Sequence, residues 1–184
     1  MSSVIIKEHF LTSQECRDII DYSIQTLSLE PGLVKNEELI EKVRKSKIAF
    51  HSYDVEFYWL FKRIKDFINL NYNLKGYRIN VEPRFQFTKY STGEYYNWHQ
   101  DDAKEGPAAD RFCSMVIQLS DNYVGGDLQY KQNGIHVFNP GLGSLFTFPS
   151  FYSHRVTEVL KGTRYSLVGW FKLVPIKGAI KTTI

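Results

Sequence analysis

At 184 residues, with a net charge of +3 and 43% hydrophobic residues, the chain is long enough to bury a core without staples and too evenly charged to call for a polyanionic partner. Cys16 and Cys113 lie far apart, which excludes a disulfide framework and a Cys-rich zinc module and fits a reducing compartment. No apolar run reaches membrane-spanning length, and "MSSVIIKEHF" lacks the basic start and long apolar core of a signal peptide, so a soluble cytoplasmic protein is expected.

A short strand in "VIIKEHF" leads to Thr12-Ser13-Gln14-Glu15, a capping-box pattern that opens a helix through "ECRDIIDYSIQTL"; Pro31-Gly32 is its expected stop. "KNEELIEKVRKSK" is polar and charged and reads as a surface loop or short helix. Its Lys42, Arg44 and Lys45, with Lys47, form the only local basic cluster, too small to predict nucleic-acid binding. A second helix is predicted from about Asp54 to Asn71, where Phe57, Leu60, Phe61, Ile64, Phe67 and Ile68 recur at steps of three and four on one face.

From Tyr77 the texture changes to short runs of β-branched and aromatic residues: "YRINVEPRFQFTKY", "RFCSMVIQLS", "GDLQYKQ", "GIHVFNP", "GSLFTFP", "SHRVTEVL" and "RYSLVGWFKLV". Turn signals separate them, including Gly125-Gly126, best explained by a turn that needs positive φ. Many short strands with regular turns predict a barrel or sandwich. One domain over 1–184 is expected, with 1–76 as mainly helical support and 77–175 as the β core. The tail "KGAIKTTI" is expected to fray, and the stretch 102–111 reads equally as a lid or as an ordinary solvated connection.

In "YYNWHQDDAK", His99 and Asp101 are one residue apart, so on a strand both side chains point the same way. Alone, the pair is as well explained by a satisfied surface histidine. A metal site with open positions needs a third ligand, and two histidines with one carboxylate suit non-haem Fe(II). His154, at the start of an alternating run, is the candidate. His9 lies before the first helix, His51 in the polar link before the second and His136 in a hairpin strand, none with partner spacing. Ten residues after His154 comes Arg164, with Ser166 on the same strand face. A buried arginine needs a carboxylate, either a side chain such as Glu158 or Asp127, or a co-substrate. Trp98 and Trp170 are expected as core or cavity wall.

His99-x-Asp101, His154 and Arg164-x-Ser166, carried by "FTKYSTGEYYNWHQD", "YVGGDL" and "PSFYSHRVTEVLKGTRYSLVGW", resemble the Fe(II)- and 2-oxoglutarate-dependent oxygenases. The resemblance is to the prolyl 4-hydroxylase-like branch and its PKHD-type relatives, and runs from about Arg84 to Trp170. It implies a double-stranded β-helix, the cupin-like jelly roll, with His99, Asp101 and His154 holding iron and no further catalytic side chain. Arg164 would pair with the far carboxylate of 2-oxoglutarate, aided by Ser166 and Tyr90. Iron(II), 2-oxoglutarate and dioxygen are the implied cofactor set, with ascorbate a candidate accessory. The implied reaction hydroxylates an unactivated C–H bond of a prolyl, other peptide or small-molecule substrate and releases succinate and CO2. Many animal prolyl hydroxylases have lysine where Arg164 stands, and the superfamily's DNA-repair members have a second arginine where Trp170 stands. A cupin-like metal module that does not use 2-oxoglutarate is the alternative.

Overall fold

The structure is a computed structural model that describes residues 4–32, 43–52, 55–72, 76–82, 84–106, 108–139 and 141–176. After strand β1 (Ile5–Lys7), the Leu11 N–H donates to the Gly143 carbonyl at 2.9 Å and brings the chain to the first helix. The expected capping box opens α1 (Ser13–Thr26): the Glu15 N–H donates to Thr12 Oγ1 at 3.2 Å and the Thr12 N–H to Glu15 Oε2 at 2.8 Å, so two otherwise orphaned donors are satisfied reciprocally. Helix α1 ends at Thr26, short of the expected stop at Pro31-Gly32. Leu27 is already extended; this course lets Leu29 pack on the core and lets β2 (Glu30–Pro31) join a sheet.

The polar link also differs from expectation. Residues 33–42, including Lys42, lie outside the described residues, but 44–52 are strand: β3 (Arg44–Lys45) and β4 (Lys47–Ser52). Alternation decides this segment. Ala49 and His51 are buried on one face while Phe50 and Ser52, on the other, are exposed, and tertiary pairing with the β core overrides the polar composition. His51 is thus buried rather than placed in a solvated link, with Nε2 2.8 Å from Ser23 Oγ and its ring 4.2 Å from that of Phe57. Helix α2 (Tyr58–Asn71) begins four residues later than predicted; Asp54 lies outside the described residues, and 55–57 form a turn.

The second half supplies β5 (Tyr77–Val81), β6 (Arg84–Ser91), β7 (Tyr95–His99), β8 (Arg111–Gln118), β9 (Val124–Gly125), β10 (Leu128–Lys131), β11 (Ile135–Phe138), β12 (Leu145–Pro149), β13 (His154–Val156), β14 (Val159–Lys161) and β15 (Thr163–Pro175). These strands form a jelly roll. One antiparallel sheet runs β1-β12-β8-β15-β6-β4-β2 with β5 beside β15; the facing sheet runs β11-β10-β13-β7-β3. Segment 1–76 therefore contributes strands to both sheets besides its helices. The frayed tail expected at 177–184 lies outside the described residues. No described helix is long and apolar enough to cross a membrane.

Strand parity divides the large sheet into two faces. Phe85, Phe87, Met115, Ile117, Leu145, Leu167 and Phe171 face the helices and pack with Ile19, Leu60, Phe61, Ile64 and Ile68 in one apolar core. Phe61 stacks on Phe85 at 3.9 Å between ring centroids. The intervening positions face the second sheet, where Val116, Phe146, Phe148, Leu128 and Val156 form a smaller cluster at one end. The rest of that interior is a cavity.

Candidate metal centre and co-substrate pocket

His99 closes β7 and His154 opens β13, and the antiparallel register of these strands sets the two residues directly opposite each other. Asp101 is fixed just past the end of β7 by its N–H, which donates to the Ser150 carbonyl at 3.0 Å. The sequence-predicted triad is brought together: the potential ligand atoms of His99, Asp101 and His154 all lie within 4.8 Å of one another. His99 Nε2 is 3.7 Å from Asp101 Oδ1, and His154 Nε2 is 3.4 Å from Asp101 Oδ2. Each Nδ1 meets a backbone carbonyl, that of Asn97 at 2.8 Å for His99 and that of Tyr152 at 2.9 Å for His154. A carbonyl can only accept, so both Nδ1 atoms carry the proton and both Nε2 lone pairs point at the shared space. Two imidazoles and a carboxylate converging on one point fit a divalent non-haem metal and leave coordination positions open on the cavity side.

Groups behind the triad hold it. Ser114 Oγ donates to Asp101 Oδ2 at 2.7 Å and lies 3.0 Å from Ser150 Oγ. Arg111 grips Glu82 with Nε and Nη2 at 2.9 and 3.0 Å, donates from Nη1 to the Asp101 carbonyl at 3.2 Å and lies 3.9 Å over the Trp170 ring. Burial holds the His99 imidazole well below the ordinary histidine range, and the charge of His154 acts in the same direction. For Asp101, burial pushes the carboxyl up, but His154, His99 and the Ser114 hydroxyl outweigh it and leave the group below its ordinary value. Both directions favour the forms that bind a metal.

The triad opens into a cavity of about 1070 Å³ whose wall includes Tyr90, Arg164, Ser166 and Trp170. Arg164 is 2% exposed, donates from Nη1 to Ser166 Oγ at 3.1 Å and pairs across β6 and β15 with Tyr90, whose ring centroid is 5.6 Å from the guanidinium carbon. Its Nε is buried without a hydrogen-bond partner. Among the described residues neither Glu158, Asp127 nor any other carboxylate comes within ion-pair distance of it. Space for this side chain depends on Gly126, with φ 64°, where an added Cβ would come within 3.1 Å of Arg164 Cδ. The positive φ expected at Gly125-Gly126 is present.

The competing histidines stay away from the centre: His9 is in a turn with φ 51°, His51 is packed near α1, and His136 lies 2.8 Å by Nε2 from the Gln132 carbonyl. Trp170 is cavity wall, whereas Trp98 lies outside it under Lys131 and Arg155. In the stretch 102–111, Ala103 bridges Ala109, and Asp102, Ala103 and Ala108 line the cavity. Sequence reasoning missed Ser114, the Arg111–Glu82 pair, Tyr96 and the burial of Arg44. Only Ser114 left a signal, a small polar residue inside the apolar run "RFCSMVIQLS".

Residues 85–172, just under half of the chain, match the family model described as "2OG-Fe(II) oxygenase superfamily", which supports the resemblance read from His99, Asp101, His154 and Arg164. Over 89 residues it is 33% identical to a PKHD-type hydroxylase of Idiomarina loihiensis, covering 47% of this chain and 41% of the relative. It is 32% identical over 100 residues to one of Acaryochloris marina, covering 51% and 46%. The chain thus matches less than half the length of these curated relatives. Among solved structures, a Pseudomonas putida prolyl-4-hydroxylase superposes with TM-score 0.70 at 21% identity over 94% of this chain and 93% of the other. A Trichoplax adhaerens prolyl hydroxylase, solved with a hypoxia-inducible-factor peptide fragment, superposes with TM-score 0.75 at 22% identity over 92% and 83%. At that identity the likeness is one of fold.

Proposed function

We propose that this chain is an Fe(II)- and 2-oxoglutarate-dependent dioxygenase that hydroxylates an unactivated C–H bond of a prolyl or other peptide or amino-acid substrate, with release of succinate and CO2. His99, Asp101 and His154 would hold the iron, which with 2-oxoglutarate and dioxygen supplies the oxidising chemistry when bound. Arg164 takes the far carboxylate of 2-oxoglutarate; Ser166 fixes one prong of its fork, and Tyr90 walls the same pocket. Ser114 orients the Asp101 carboxylate, and the Asn97 and Tyr152 carbonyls set the imidazole tautomers. The jelly-roll walls limit access of water to the reacting centre.

The observation that carries this reading is Arg164. Its guanidinium is buried in the same cavity as the triad, with an unpaired Nε and no described carboxylate to neutralise it. An arginine cannot shed its proton to escape that cost, so the site asks for an anionic ligand beside the metal. Anaerobic addition of Fe(II) and then 2-oxoglutarate should give the weak visible charge-transfer absorption of the chelate, with a far higher 2-oxoglutarate requirement in Arg164→Ala at unchanged iron affinity. Iron-loaded protein without that absorption would move the cupin-like alternative ahead.

A further inference from the structure

A second buried arginine lines the same cavity, and the co-substrate does not account for it. Arg44 on β3 is 5% exposed. Its Nε donates to Ser46 Oγ at 2.7 Å, its guanidinium carbon lies 4.5 Å from the Tyr96 ring centroid, and its Nη2 is buried without a hydrogen-bond partner. No described carboxylate is within ion-pair distance. Of the acids on this wall, Glu82 lies in the fork of Arg111, Asp101 belongs to the triad, Glu30 accepts the Ser28 hydroxyl at 2.7 Å, and Asp102 makes no ion pair with Arg44.

The seat of this side chain is built for it. A Cβ at position 32 would come within 2.5 Å of Arg44 Nε, 2.8 Å of its Cζ and 2.7 Å of Ser46 Oγ, so Gly32 leaves the guanidinium its space. The Gly32 N–H donates to the Ser46 carbonyl at 2.9 Å and ties the two segments together. Beyond Arg44 lies the metal centre: the Tyr96 ring also stacks on the His99 imidazole, with centroids 3.5 Å apart. Arg44 and Arg164 stand on different strands, and one molecule of 2-oxoglutarate has one far carboxylate.

We propose that Arg44 is a specificity-determining residue that anchors a carboxylate of the primary substrate, so that the C–H bond to be oxidised is presented on the His99 side of the metal. This rests on the oxygenase reading above. A permanently charged, planar fork with an open N–H in a shielded wall selects a carboxylate over the isosteric amide, which brings no charge and must bury its own N–H donors. The carboxylate is either the α-carboxylate of an amino acid or an acidic side chain.

Calorimetric titration of Mn(II)-loaded protein tests this without turnover. A first titration with 2-oxoglutarate stands alone: absence of binding there overturns the oxygenase reading itself. The ternary complex is then titrated with the N-acetyl-L-amino acids, each paired with its primary amide; N-acetyl-aspartate and N-acetyl-glutamate α-amides keep only the side-chain carboxylate and so separate the two sources. At least one acid is expected to bind about tenfold or more tightly than its neutral amide. Arg44→Gln should abolish that preference and Arg44→Lys retain part of it, both with 2-oxoglutarate affinity within about twofold of the parent, which also reports an intact fold. No carboxylate preference in the parent protein, or a preference that survives Arg44→Gln, overturns the assignment.

Discussion

The two faces of the large sheet are made from the same strands and do opposite work. Toward the helices, β6, β8 and β15 present Phe85, Phe87, Met115, Ile117, Leu167 and Phe171 to a continuous apolar core. One residue away, the same strands present Gln86, Thr88, Tyr90, Ser114, Gln118, Arg164 and Ser166, all buried. Hydrophobic burial on the first face supplies the stability that lets the second keep polar and charged groups out of water. A sheet with one expendable, solvated face could not do this; here both faces are enclosed, one apolar and one lined with buried polar and charged groups.

That division should be open to attack from either side. His154→Ala is expected to have the largest functional effect: loss of measurable Fe(II) binding by calorimetry, with the far-UV circular dichroism of the parent. Phe61→Ala strikes the other face, removing the ring stacked on Phe85, and should cost about 3–5 kcal/mol in urea unfolding while metal affinity in the folded protein is retained. A Phe61 variant that lost metal affinity in its folded state would show that the two faces are not independent. Ser114→Ala removes the hydrogen bond that orients Asp101, together with the contact to Ser150, and should weaken metal binding by about 10–100-fold at a smaller cost in stability than Phe61→Ala.

Acid should give the smallest effect. His99 is held below its ordinary value of about 6.5, so the unfolded chain binds more protons there than the folded one. Apo-protein stability should be full above that value and decline as pH falls below it, with Asp101 adding a loss of the same sign at still lower pH. Bound metal should raise stability most at neutral pH and steepen the decline, because proton and metal compete for the same nitrogen in the folded state. Apo-protein equally stable at pH 7 and pH 5 would contradict the His99 environment.

Much of this was legible in the sequence because it is local or periodic. The capping box at Thr12 and Glu15 needs four residues, the face of α2 needs two turns, and His99-x-Asp101 needs only strand parity. Arg164 was legible as an oddity, a charge in the middle of an aromatic strand. Strands β2 to β4 were not: Lys, Arg and Ser outnumber the inward Ala49 and His51, and only pairing with β6 and β7 makes that segment extended. The role of Arg44 was hidden for the same reason, since a lysine-rich neighbourhood reads as surface until β7 places Tyr96 beside it. Ser114 looked like one serine among many until the fold set its hydroxyl against Asp101.

Gly169 sits on β15 between Val168 and Trp170, facing the helices, and a Cβ there would come within 2.9 Å of Phe85 Cδ1. Phe85 in turn carries the stacked Phe61. At this point the partition between the dry core and the cavity is a single peptide thick, so bulk added on one side can yield only toward the other. An engineer who wishes to reshape the cavity could therefore move its wall from behind, by substitutions at 61, 85 and 169, without altering any residue that touches the ligands.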